Sequence, residues 1–180
     1  EAAGKQAVRV SAHHEAAKHF RKAVELARGL AASDESSDRI RHFLLLLGPE
    51  VLAGQGFASD EVQKVYSEAL EMRADFGQDQ QMSHILWGLW GYYIVRARIA
   101  TAHDFAVEFL ALADRRSDTL EIAAGHYMVG VGKFYTGDFE DARQSFEKAI
   151  QSSNNVQHDE MVIRYGVDLG ITARGYLLWI

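Results

Sequence analysis

The sequence predicts an all-α chain built as an array of helix pairs, about four pairs and part of a fifth. Three observations predict it. Long segments carry apolar residues at a helical spacing. One proline and 15 glycines in 180 residues are too few turn-formers for a sandwich of many short strands. A small-large-small stripe also recurs along the chain. In "YTGDFEDARQSFEKAI", Ala142, Phe146 and Ala149 share one helix face, and Gly137 sits just ahead of that helix. Such a stripe lets a second helix press close.

The same stripe falls on Ala16, Phe20 and Ala23, on Val62, Tyr66 and Ala69, and more weakly on Ala102, Ala106 and Phe109, with offsets of 46, 40 and 40 residues. Gly4 and Gly130 each stand twelve residues before the first alanine of a stripe. A glycine inside a helix costs about 1 kcal/mol of propensity, so each reads as a seat for a neighbouring helix.

The elements follow in order. Helices at 2–11 and 13–30 form the first pair, and "AASDES", 31–36, is a loop. Ser37-Asp38 caps a helix over 37–54, kinked or broken at Gly48-Pro49 and closed by Gly54 and Gly56. Ser59-Asp60-Glu61 caps 59–75. An aromatic helix spans 80–98, Thr101 caps 101–115, and Ser117-Asp118 caps 118–136. After Gly137 comes 138–153, then a long connection over 154–167 with room for a short helix, then 168–180. The expected organisation is one domain, 1–180, with units at about 1–30, 37–75, 80–115, 118–153 and a partial 168–180.

A formal charge of −6 argues against a nucleic-acid surface. Without cysteine there is no disulfide, thiolate metal site or cysteine nucleophile. No apolar run reaches the roughly 20 residues of a membrane span, and no signal-like segment follows Glu1. The expectation is an internal piece of a longer cytoplasmic protein.

Three motifs approach chemistry and fall short. "HHEAAKH" puts His14 and His19 five residues apart, about 140° around a helix, with Lys18 where a zinc motif needs histidine. "GHYMVGVGKF" has Gly132-Lys133, but Tyr127 and Phe134 replace the glycine and hydroxyl of a phosphate loop. Asp138, Glu140, Asp141 and Glu147 read as a solvated face. No catalytic residue, metal site or cofactor is expected.

"YTGDFEDARQSFEKAI" resembles the second half of a tetratricopeptide repeat, and "AGKQAVRVSAHHEAAKHFRKAVELA" resembles another unit. Trp90 departs from the pattern, standing where a small residue is usual. Over nearly the whole chain, "LLLLGPEVLAGQGFASDEVQKVYSEALEM", "ILWGLWGYYIVRARI" and "IRYGVDLGITARGYLLWI" resemble the repeat region of large bacterial signalling proteins. In those proteins the region follows an AAA-type or STAND-type ATPase, often preceded by a class III adenylate or guanylate cyclase. The resemblance implies a right-handed superhelix of stacked antiparallel pairs. It also implies a cytoplasmic, non-catalytic role that binds a protein, peptide or small effector and regulates neighbouring domains.

It further implies a concave groove lined by first helices. His84, Trp87, Gly91 and Ile94 would then lie beside Tyr127, Val131 and Phe134 in an apolar trough, with Gly91 admitting a side chain. The trough requires Trp87 or Tyr127 to be open to solvent. The rival expectation puts every aromatic in the core and makes the chain a spacer or self-assembling array. Apolar Leu177, Leu178, Trp179 and Ile180 suggest self-association at that end.

Overall fold

A computed structural model describes residues 2–30, 33–72, 79–154 and 156–180, with side chains from residue 12 in the first stretch and 81 in the third. Among the described residues there are nine α-helices and no strand. They gather into two compact units, residues 1–95 and 96–180. The division falls inside the expected unit 80–115.

The first unit holds α1 (Ala2–Arg28), α2 (Asp34–Gln55), α3 (Asp60–Glu71) and α4 (Asp79–Val95). α1 is one helix, not the expected pair. Between Gly4 and Arg28 the sequence has no glycine or proline to end it, and Ala12 simply continues the turn. α1 packs instead on α2. The surroundings of Gly4 lie outside the described residues. The first stripe is not the buried one. Ala17, Val24 and Ala27 are buried, whereas Ala16, Phe20 and Ala23 are half-exposed.

α2 begins earlier than expected because Ser33 and Ser36 form the capping box. The Ser36 amide donates to Ser33 Oγ at 3.2 Å and the Ser33 amide to Ser36 Oγ at 3.0 Å. The helix continues unbroken through Gly48-Pro49. Ser59 caps α3 as expected, with its hydroxyl accepting from the Glu61 amide. The α3 stripe of Val62, Tyr66 and Ala69 is buried and faces α2 and α4. The Tyr66 ring wedges between two glycines. A Cβ on Gly48 would lie 2.6 Å from Tyr66 Cε1, and one on Gly88 would collide with the opposite ring edge.

The second unit holds α5 (Ile99–Arg116), α6 (Thr119–Thr136), α7 (Phe139–Ser153), α8 (His158–Tyr165) and α9 (Leu169–Leu177). Thr101 does not cap α5, which starts after Arg98 with no side-chain cap. Asp118 does cap α6, accepting from the Glu121 amide at 3.0 Å. α5 packs on α6, α6 on α7, and α7 on α9. Ala102, Ala106 and Phe109 on α5 and Ala142, Phe146 and Ala149 on α7 are all fully buried. Gly130 faces Phe146 rather than Ala142, since its Cβ would lie 2.7 Å from Phe146 Cε1. Gly137 serves the turn, not packing: it closes α6 at φ 83°, where a side chain would be strained.

Candidate interaction surfaces

The α4 half of the expected trough is closed from within its own unit. Trp87 is only 5% exposed, Gly91 is buried, and His84 and Ile94 are half-buried. Phe57, from the turn between α2 and α3, fills the space beside Gly91. A Cβ there would run into the Phe57 ring, and that ring meets Trp87 edge-on with centroids 6.4 Å apart. The absent side chain at Gly91 does admit a side chain, but it belongs to this chain. Phe57 lies in a loop outside the helical spacing that revealed the other aromatics, so the pattern gave no sign of it.

The α6 half is closed in the same manner. Tyr127 is 7% exposed, Val131 is buried and Phe134 is half-buried. The cover is Tyr176 of α9. Its ring lies 6.2 Å from that of Tyr127 and 5.1 Å from that of Phe134, and stacks on Phe146 at 4.9 Å with an 11° interplanar angle. Burial, with the Tyr135 hydroxyl nearby, pushes the Tyr127 phenol up to about 12. Both rings are sealed, each within its own unit, so neither Trp87 nor Tyr127 is presented to a ligand.

Open apolar surface lies elsewhere. In the second unit a hollow of about 460 Å³ is lined by Phe134, Thr172, Gly175, Tyr176 and Trp179. A Cβ on Gly175 would meet nothing, and Trp179 is 81% exposed. Phe134 alone of the seven expected groove residues lines it. In the first unit a crevice of about 450 Å³ lies over Leu44 and Leu47 of α2, between α1 and α3. Arg21 pairs with Glu61 and Arg28 with Glu68 across it. Arg21 holds the Glu61 carboxyl below its ordinary range despite partial burial.

The second unit also encloses a carboxylate that the sequence reading passed over. Glu121, in the first turn of α6, is 0% exposed. It accepts from Arg116 and from Arg164 of α8, each at 2.6 Å. Both carboxylate oxygens are engaged, so the group holds three elements together and presents no lone pair toward an open cleft. Its partners are a helix end and a residue 43 positions away, which no local spacing reveals.

The histidines of "HHEAAKH" separate. His13 Nδ1 lies 2.7 Å from Glu50 Oε2, the His14 ring rests near Gly54, and His19 is exposed. Among the described residues no group of three or more histidines and carboxylates is placed to hold a metal ion. Asp138, Glu140, Asp141 and Glu147 are exposed, paired with Lys133 and Arg143. No helix among the described residues is long and apolar enough to cross a membrane. Neither a family model nor a curated protein sequence matches the chain.

Proposed function

We propose that this chain is a non-catalytic, tetratricopeptide-like repeat module: antiparallel helix pairs stacked in a right-handed superhelix, within a larger cytoplasmic bacterial signalling protein. Its role is to bind a protein, peptide or small effector and so regulate neighbouring cyclase or ATPase domains. The observation that carries the reading is the repeat itself. Stripes 40 residues apart on α3, α5 and α7 are buried at every position. Helical repeats of this kind present surfaces rather than catalytic constellations, and the buried Glu121 is occupied by two arginines.

The exposed hollow by Phe134, Tyr176 and Trp179 is the surface best suited to a partner. The test is nucleotide turnover by the full-length protein, with this module intact, deleted, or carrying Trp179→Ser. Turnover that depends on the module, and a response blunted by Trp179→Ser, are the expected results. Turnover indifferent to deletion sinks the proposal.

One observation favours a second reading, a spacer or self-assembling array: Trp87 and Tyr127 are filled by the chain's own Phe57 and Tyr176. That reading predicts self-association, concentration-dependent in sedimentation, with no effect of the module on its neighbours beyond assembly.

A further inference from the structure

The hollow on the second unit has a glycine in its wall, and glycines elsewhere in the chain show what such a position takes. Gly48 and Gly88 receive the ring of Tyr66, and Gly91 receives that of Phe57. Gly130 of α6 receives Phe146 of α7, the ring at the centre of a small-large-small stripe. At Gly175 of α9 a Cβ would meet nothing within 4 Å. Its φ is not positive, so the backbone does not require glycine there.

α9 also repeats α6. Gly170, Gly175 and Trp179 each stand 45 residues after Gly125, Gly130 and Phe134. Gly125 lies against Leu110 of α5, and Gly170 lies in the same way against Ser153 of α7. The two helices match at the first glycine and differ at the second. Gly130 is covered by a ring from α7, and Gly175 is open. The hollow therefore continues the α6–α7 interface, one helix further on.

The lining suits an apolar ring. Thr172, Gly175 and Trp179 follow at helical spacing along α9, with Phe134 and Tyr176 beside them, around about 460 Å³. The Thr172 hydroxyl donates to the Asp168 carbonyl at 2.6 Å, and the Tyr176 phenol is hydrogen-bonded with Tyr127 and Tyr135. These polar groups are engaged within the chain, so a polar guest would be desolvated without return. Trp179, 81% exposed, offers apolar surface, and an aromatic guest gains ring contacts with it.

We propose, resting on the reading of this hollow as the partner surface, that it seats the ring of an amphipathic partner helix. That helix carries a small-aromatic-small stripe at i, i+4 and i+7, the chemistry that α7 presents to α6. Gly175 admits the ring, and the small residues on either side of it keep the two helix axes close.

The probe is a peptide of the α7 sequence, Phe139–Ser153, stapled across the exposed Glu140 and Gln144 so that it is helical in isolation. Indole N–H resonances of the 180-residue chain report the site. Trp87 and Trp90, buried in the other unit, serve as internal references. A saturable shift of Trp179 is expected, with those two unmoved. Phe146→Ala or Ala149→Leu in the peptide should weaken binding by about tenfold or more. Gly175→Ala in the chain should weaken it as much, yet melt no lower than the unmodified chain, because its Cβ enters open space and alanine favours the helix. A loss of binding in that variant is then not misfolding. Binding that survives Phe146→Ala or Gly175→Ala would overturn the assignment. So would shifts at Gly130 without Trp179, which would mean that the peptide displaces α7. A Trp179 shift that grows with protein concentration alone would give the hollow to a second copy instead. Binding is read on the chain by itself, so it can fail while nucleotide turnover still depends on the module, and the two failures are told apart.

Discussion

Tyr66 in the first compact unit is clasped along both ring edges by glycine backbones, Gly48 of α2 and Gly88 of α4. Phe146 in the second unit has one glycine, Gly130 of α6, on one side and the stacked ring of Tyr176 on another. Both rings are buried at the centre of a small-large-small stripe. The walls around Tyr66 are main chain and cannot turn aside. One wall around Phe146 is a half-buried side chain with rotatable bonds. The same pattern therefore makes a rigid seat in one unit and an adjustable seat in the other. Charge is handled differently as well: the first unit pairs its ions at the rim of a crevice, and the second encloses Glu121 completely.

The largest effect should come from emptying the seats. Tyr66→Ala leaves a cavity between two backbones that cannot collapse, and should cost about 5 kcal/mol, the top of the range for removing a buried ring. Phe146→Ala lets Tyr176 move into the space and should cost about 3 kcal/mol. Denaturant unfolding, followed unit by unit through hydrogen exchange, measures both. Equal losses would erase the distinction between the seats.

Glu121→Ala comes next, at about 3 kcal/mol, because two guanidinium groups lose their buried carboxylate. Both arginines retain some water, which holds the loss to the low end of such cases. Glu61→Ala removes a partly exposed pair and should cost less than about 1 kcal/mol. A Glu121 variant as mild as the Glu61 variant would mean that the enclosed network contributes little.

Glycine substitutions test the walls directly. Alanine gains about 1 kcal/mol of helix propensity over glycine. At Gly88 the new Cβ meets a ring held from the other edge by Gly48, so overpacking wins and the variant should lose about 2 kcal/mol. At Gly130 the ring can shift against Tyr176, and the net change should stay within about 1 kcal/mol of zero. If Gly130→Ala is the more damaging, the assignment of rigid and adjustable walls is reversed.

These contrasts mark how far the sequence could be read. The rings of the stripes were legible because helical spacing is a local property, and three of the four stripes are buried where expected. The buried face of α1 differs from the expected stripe because nothing in 12–28 distinguishes adjacent alanines, and packing against α2 sets the rotation. Ser33 escaped notice as a cap because Ser36, Ser37 and Asp38 offer competing signals within one turn. What occupies the space beside a glycine is not local at all. Gly88 and Gly91 are three residues apart on α4, yet one seats Tyr66 and the other Phe57. The trough was misread for that reason. Spacing identified a face that could open to solvent, but the residues closing it come from a turn and from α9.

The last effect concerns ionisation and separates the two units by pH. Tyr127 is buried under Tyr176, and its phenol is pushed up to about 12 from an ordinary value near 10. Below pH 10 folded and unfolded chains both keep the proton, so this group adds no pH dependence. Between pH 10 and 12 the unfolded chain releases the proton while the folded chain retains it. Unfolding is then favoured, and the stability present below pH 10 is progressively lost. The loss from this one group reaches about 1 kcal/mol by pH 11. Tyr66, Tyr165 and Tyr176 are raised by burial in the same direction, so the unmodified protein should weaken steeply in this range. Tyr127→Phe should lessen the slope for the second unit by one proton and leave that of the first unchanged, while Tyr66→Phe should do the reverse. Denaturant midpoints at pH 9, 10 and 11, read separately for each unit, give the slopes. An unchanged slope after Tyr127→Phe would mean that its phenol titrates near 10 in the folded protein. Tyr176 would then not be the cover that closes the α6 face.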